Sequence, residues 1–183
     1  MTVEIRALRR SDDRQAFHSG DEALDLYFHR YAGQNQFRHH IGTTYVAVEG
    51  ERILGFVTVA PGSLDAPDLP SGRKIPPYPV PILRVARLAV DATARDRGLG
   101  KALLRFSIEL AERLMTDYGC VGLVVDAKPS AEEFYRRYGF TPLDVLEGAS
   151  AERPAPTPMF LALGSVPPSR DPTQPPPERP GSL

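Results

Sequence analysis

The stretch that most restricts what this chain can fold into runs from Val85 to Leu104, VARLAVDATARDRGLGKALL. A short apolar run, then a polar turn carrying Arg95-Asp96-Arg97-Gly98-Leu99-Gly100, then apolar residues at helical spacing predict a strand, a loop and the opening of an amphipathic helix. The first turn of a helix leaves backbone N–H groups without intrahelical partners and presents the positive end of the helix dipole, so this junction suits an anion. Gly98 and Gly100 carry no side chain and let a phosphate approach the backbone, while Arg95, Arg97 and Lys101 add positive charge around it. The chain therefore offers a cradle for a pyrophosphate.

Spacing excludes two better-known cradles. A Walker A loop needs G-x-x-x-x-G-K-[ST], whereas Gly98 and Gly100 are too close together and Ala102 follows Lys101. A dinucleotide fingerprint needs G-x-G-x-x-G with an acidic residue about 20 positions on, and an arginine stands near its first glycine position here.

The rest of the chain is read around that junction. With 183 residues, 42% hydrophobic and 25% charged, it holds one globular core. No run of about 18 apolar residues occurs, and MTVEIRALRR lacks the apolar centre of a signal peptide, which predicts a soluble, cytoplasmic protein with no membrane partner. Cys120, the single cysteine, lies beside the apolar run VGLVV and reads as a buried, inert thiol. Four histidines, none in a ligand motif, give no metal signal. The net charge is −1, yet between Arg73 and Arg105 eight basic residues face only Asp91 and Asp96. Such a basic segment suits a nucleotide phosphate or an RNA backbone, and equally a plain solvated surface.

Residues 3–8 predict a first strand, and Ser19-Gly20-Asp21-Glu22 a capping box opening a helix to about Phe37, with Leu24, Tyr27, Phe28 and Tyr31 as its core stripe. Residues 43–49 and 52–60 flank Gly50-Glu51 as an antiparallel hairpin. Prolines and glycines from Pro61 to Pro81 predict an irregular surface loop carrying Arg73 and Lys74. A strand at 82–90 leads into the cradle, a helix runs from about Gly98 to Tyr118, and the apolar run 121–127 predicts a central strand parallel to 82–90. A short helix from Ala131 to Tyr138, ended by Gly139, and strands starting at Phe140 and over 158–163 follow. Residues 1–164 are expected to be the folded domain. Residues 165–183, with seven prolines and almost nothing apolar, are expected to form a disordered tail.

The pattern R-x-x-G-x-G (Arg95, Gly98, Gly100) after a strand ending RLAVD, with the later block FYRRYGF (Phe134–Phe140), resembles the GCN5-related N-acetyltransferase (GNAT) family. The resemblance implies an α/β fold with a mixed sheet of about six to seven strands, flanked by about four helices and splayed between the strand before the cradle and the next parallel one. It implies acetyl-CoA as cosubstrate and no metal: backbone groups of Leu88, Ala89 and Val90 against the pantetheine, and those of Arg95, Asp96, Arg97, Gly98, Leu99, Gly100, Lys101 and Ala102 at the pyrophosphate. The segments SGDEALDLYF and PPYPVPILRVARLAVD look like the toxin subfamily that acetylates the amine of aminoacyl-tRNA. That resemblance implies a small DNA-binding antitoxin as partner and leaves a homodimer open.

The transfer needs an amine to attack a thioester and the departing thiolate to be stabilised. A phenol stays protonated at neutral pH, and by the resemblance Tyr135 is the acid, with Tyr138 its rival. Strand 82–90 contains no Glu, Asp or His to act as base, which favours an acceptor that is partly neutral already. An α-amine near pKa 7.7–8.0 meets that condition and a lysine near 10.4 does not. Aminoacyl-tRNA fits, with Arg73, Lys74 and Arg84 as phosphate contacts. A small-molecule amine or protein α-amino terminus fits as well, and a non-catalytic acyl-CoA-binding domain is a third reading.

Overall fold

A computed structural model describes residues 2–69, 77–143 and 155–164. Arg73 and Lys74, and the proline-rich residues 165–183, lie outside them.

Seven strands form one mixed sheet in the order β1-β2-β3-β4-β5-β7-β6. They are β1 (Glu4–Ala7), β2 (Thr43–Glu49), β3 (Arg52–Leu64), β4 (Val80–Val90), β5 (Gly122–Ala127), β6 (Thr141–Pro142) and β7 (Thr157–Ala162). Every neighbouring pair is antiparallel except β4 and β5, which are joined by the crossover helix α3 (Leu99–Asp117). Period-two alternation sorts the side chains: Val46, Val48 and Phe56 face one layer, Ala47 and Val57 the other. On the second face α3 buries Leu103, Leu104 and Ala111 against Leu83, Val85 and Leu123.

The first face is covered by one helical stretch over residues 22–39. It starts as α1 (Glu22–Leu26), passes through a π-helical turn (Tyr27–Tyr31) and α2 (Ala32–Gln34), and ends in a second π-helical turn (Asn35–His39). Phe28 sits at its centre, stacked on Phe56 at 4.3 Å and edge-on to Phe17 at 5.0 Å. The expected core stripe is only partly realised: Phe28 is buried, Leu24 and Tyr27 are partly covered, and Tyr31 is 46% exposed. The wider π turn shifts the register, so Ala32 takes the buried place that 3.6-residue spacing gave to Tyr31. The helix cap also differs from the expected box. Asp21 is the cap, its Oδ1 accepting from Ala23 N–H at 3.0 Å and Leu24 N–H at 3.1 Å, while Ser19 Oγ donates to Asp25 at 2.6 Å. Gly20, at φ 88, turns the chain between the two.

The expected irregular loop is shorter than Pro61 to Pro81. β3 continues to Leu64 and β4 begins at Val80, with Pro61 opposite Leu83 and Ser63 opposite Pro81. Pairing with β2 stops at Val59, so beyond it β3 has a strand on one side only, where a proline without N–H is tolerated. Cys120 is buried, its Sγ donating to Gly122 O, and burial pushes its thiol above the ordinary value. Among the described residues no helix is long and apolar enough to cross a membrane, and no group of three His, Cys, Asp or Glu residues is arranged to hold a metal.

Candidate active site

The one parallel pairing is short. β4 meets β5 only at Leu83↔Leu123, Arg84↔Val124 and Val85↔Val125, while β4 runs on to Val90 and β5 to Ala127. The strands therefore part after Val85. A cleft of ≈ 430 Å³ opens there, lined by Val85 to Leu88 of β4, Val125 and Asp126 of β5, Asp21 and Leu24 of the first helix, and Tyr135. Leu88, Ala89 and Val90 hold their antiparallel register with β3 at Val57, Phe56 and Gly55, their other edge is not paired by β5, and of the three Leu88 lines the cleft.

β4 leads directly into the anion cradle. Asp91, 3% exposed, anchors the turn: its carboxylate accepts from Thr93 N–H at 3.0 Å, Thr93 Oγ at 2.6 Å and His18 N–H at 3.1 Å. Burial works against its ionised form, yet these bonds hold its pKa below the ordinary value. Asp96 takes a left-handed φ of 63, a conformation Asp tolerates better than most residues. Gly98, at φ 73, is the N-cap of α3, and the first intrahelical bond runs from Ala102 N–H to Gly98 O at 3.0 Å. The N–H groups of Leu99, Gly100 and Lys101 precede that bond and point out of the helix start. A Cβ built on Gly98 would meet nothing within 4 Å, so open space lies in front of them. The cradle fits an anionic group through backbone donors rather than side chains. Ala102 N–H, expected among those donors, is used inside the helix.

The arginines expected around the cradle have other partners. Arg95 donates to Ser19 O at 2.6 Å and ties the loop to the N-terminal segment. Arg97 pairs with Glu49 at 2.9 Å, and Arg84 with Asp126 at 2.9 Å across the cleft wall. Arg87 lies over the Tyr27 ring at 5.2 Å, and Arg105 pairs with Glu109. Of the basic side chains named at the cradle, Lys101 alone makes neither an ion pair nor a hydrogen bond with a described residue. Within the basic segment read from the sequence, Arg84 and Arg97 are thus neutralised by acids distant in the chain, and Arg105 by one a helical turn away.

Tyr135 sits on α4 (Glu132–Arg136), following a turn of 3-10 helix at Pro129–Ala131. Its ring is wedged edge-on between Phe134 (5.1 Å) and Phe140 (5.5 Å), and it is 6% exposed. Burial pushes its phenol up to about 12, so it is a neutral donor throughout the physiological range. The hydroxyl bonds to no described residue, and Tyr135 lines the cleft. Tyr138 packs on Phe134 at 5.2 Å and does not line the cleft. Phe140 starts the chain's return, with the strand itself beginning at Thr141.

Two residues that the sequence did not mark for the site line the cleft and pair with each other. Lys128, at the end of β5, donates to Asp21, the helix cap, at 2.5 Å. Asp21 was visible as part of a helix start; its partner 107 residues away was not. The hydrogen bond from Lys128 and those from the helix N–H groups hold the Asp21 carboxyl below its ordinary pKa, against the opposing effect of burial. A depressed carboxylate stabilises the fold above its unfolded pKa and loses that contribution as pH falls through the folded value. Asp21→Ala is expected to cost about 1 kcal/mol, the typical worth of such a cap, and to lower Tm by about 2–4 °C. Thermal melts check it: the gap between variant and wild type should be full at neutral pH and close in acid.

A family model described as Acetyltransferase (GNAT) domain matches residues 40–142. A tRNA-acetylating toxin of Mycobacterium tuberculosis (strain ATCC 25618 / H37Rv) is 33% identical over 145 residues, which cover 77% of this chain and 87% of that protein. AtaT complexed with acetyl-methionyl-tRNAfMet superposes with a TM-score of 0.75 at 25% identity, covering 88% of this chain and 95% of that one. AtaTR bound with AcCoA superposes with a TM-score of 0.71 at 27% identity, covering 87% and 93%. By the family match and the identity to the mycobacterial protein, on a sheet splayed beside the N-terminus of α3, this chain belongs to the GNAT N-acetyltransferase family.

Proposed function

We propose that the protein transfers the acetyl group of acetyl-CoA to the α-amine of an aminoacyl-tRNA. The observation that carries the acceptor class is the state of the acidic residues in the cleft. Asp21 and Asp126 both line it, and each is already paired with a cation, Lys128 and Arg84. A carboxylate held down by a lysine is a poor base, so the cleft favours an amine that needs no strong one. An aminoacyl ester has such an amine: its pKa lies below the 7.7–8.0 of an ordinary α-amine because the ester withdraws electrons. The mycobacterial relative named for acetylating tRNA supports the same acceptor.

In this reading Leu88 to Val90 hold the pantetheine arm along the open edge of β4. The N–H groups of Leu99 to Lys101, with Gly98 leaving space and Lys101 adding charge, hold the pyrophosphate. Acetyl-CoA supplies the activated thioester. The amine nitrogen bonds to the carbonyl carbon, the carbon–sulfur bond breaks, and the proton lost by nitrogen balances the one gained by sulfur. Tyr135 donates to the departing thiolate. Residues 1–164 form the catalytic unit and 165–183 an appended tail, in keeping with β7 ending at Ala162. Charged tRNA places the reaction in the cytoplasm, and a toxin of this kind would be held by a small DNA-binding antitoxin encoded beside it.

The test is incubation with radiolabelled acetyl-CoA and total tRNA, charged or deacylated. Label is expected in charged tRNA only. Efficient acetylation of small amines with none in charged tRNA would replace this acceptor with a metabolic one.

A further inference from the structure

We infer that Arg10, Arg14, Arg30 and Arg38 form a docking surface for the phosphate backbone of the RNA arm whose aminoacylated end enters the cleft. The inference rests on the acceptor proposed above. It also replaces Arg84, which its pair with Asp126 withdraws from that role.

The face is built by the far half of the 22–39 helical stretch and the segment after β1. A pocket of ≈ 320 Å³ there is lined by Arg10, Arg14, Gly33, Gln34, Phe37 and Arg38, with no acid. Arg10 lies over the Phe37 ring at 4.6 Å and donates to Phe37 O at 3.4 Å, which fixes a flexible side chain in place. Arg14 lies against the helix at Gly33, where an added Cβ would come within 3.2 Å of its guanidinium. Its Nε is buried without a hydrogen-bond partner.

Counter-charges are missing as well. Residues 27–40 include Arg30, Arg38 and three histidines (His29, His39, His40) but no acid. Of the two nearby acids in the preceding segment, Asp12 takes two bonds of 2.8 Å from Arg6 and one of 2.7 Å from the Arg9 N–H. Asp13 accepts from Gln15 N–H at 2.9 Å. None of the four arginines makes an ion pair with a described residue, unlike Arg84 and Arg97. A like-charged cluster held in position repels itself, and a polyanion relieves that repulsion.

The position selects the polyanion. Leu24 of the same helical stretch lines the cleft, Arg30 follows it, and Arg38 lies about 20 Å from Leu24 at the rise of a helix. An RNA arm with its end in the cleft and its axis along this stretch passes over the arginines, which contact phosphates without reading bases.

The experiment measures KM for charged tRNA over a range of salt, with the full chain and radiolabelled acetyl-CoA. The double variant Arg10→Gln/Arg38→Gln should raise KM about 10-fold and flatten the log–log salt dependence by about 1.5, the loss of two phosphate contacts. Acetyl-CoA affinity, measured alone by calorimetry, should not move. Gln34→Lys should lower KM and Gln34→Glu raise it, a pair of opposite shifts that damage to the fold does not produce. Unchanged KM and salt slope in the double variant, with wild type labelling charged tRNA, overturn the surface and leave the acceptor standing. The same result with the variant lost from vesicles of anionic lipid, which wild type binds, assigns the face to a membrane instead. No label in charged tRNA with wild type removes the acceptor and this surface together.

Discussion

Tyr135→Phe is expected to lower turnover about 100-fold while leaving acetyl-CoA affinity almost unchanged, as loss of a single positioned proton donor does. The hydroxyl is the only polar atom of that side chain, and phenylalanine keeps the ring packed between Phe134 and Phe140. With its pKa raised to about 12, the phenol lies well above a thiol near 8.5, so complete proton transfer to sulfur is uphill. In the proposed role its effect is a hydrogen bond that strengthens as negative charge develops on the leaving sulfur. The raised value also fixes the pH behaviour. Tyr135 stays protonated until well above pH 10, so no alkaline loss of activity near pH 9 should trace to it. The acidic limb of the pH profile should reflect the acceptor amine and keep the same midpoint in the variant. Tyr138→Phe should stay close to wild type, because Tyr138 does not line the cleft. The opposite ranking of the two variants would move the role to Tyr138.

What could be read from the chain alone divides along physical lines. The strands over 43–49 and 122–127, and α3, were legible because alternation and 3.6-residue spacing record which face is buried. The end of β3 was not, because the tolerance for Pro61 depends on β2 ceasing to pair at Val59, a fact of neighbouring strands rather than of local sequence. The exposed Tyr31 was missed because a π-helical turn leaves no mark in a pattern read at 3.6 residues. At the site, the helix N-terminus and its glycines were legible as backbone geometry. The charges were not, since Arg95, Arg97 and Arg84 are consumed by Ser19, Glu49 and Asp126, which lie 76, 48 and 42 positions away. Counting basic residues in a window therefore overstated the local field. Arg10, Arg14, Arg30 and Arg38, which make no ion pair with a described residue, lie outside that window, on the segment after β1 and the 22–39 helical stretch.

Because the proposed cradle acts through backbone donors, its most damaging single change is expected at Gly98. Gly98→Glu should lower acetyl-CoA affinity at least about 30-fold, or about 2 kcal/mol. Two effects combine. A Cβ at φ 73 costs on the order of 1–2 kcal/mol of backbone strain, although nothing within 4 Å obstructs it. The carboxylate then projects into the open space before the N–H groups of Leu99 to Lys101, where it takes the favourable position at the helix dipole and repels a phosphate. Gly98→Ala separates the two: it carries the strain without the charge, so it should lower Tm by a few degrees and weaken binding only about 3-fold. Lys101→Ala should also weaken binding only a few-fold, since it removes one exposed charge and no backbone donor. Arg97→Ala should show chiefly as lost stability through Glu49, its partner at 2.9 Å. Calorimetry with acetyl-CoA and with coenzyme A on this set decides the matter. If Gly98→Glu binds both as wild type does, the phosphates are held elsewhere and the cradle before α3 is a structural turn. If instead Lys101→Ala and Arg97→Ala are as damaging as Gly98→Glu, side-chain charge and not the helix start holds the anion.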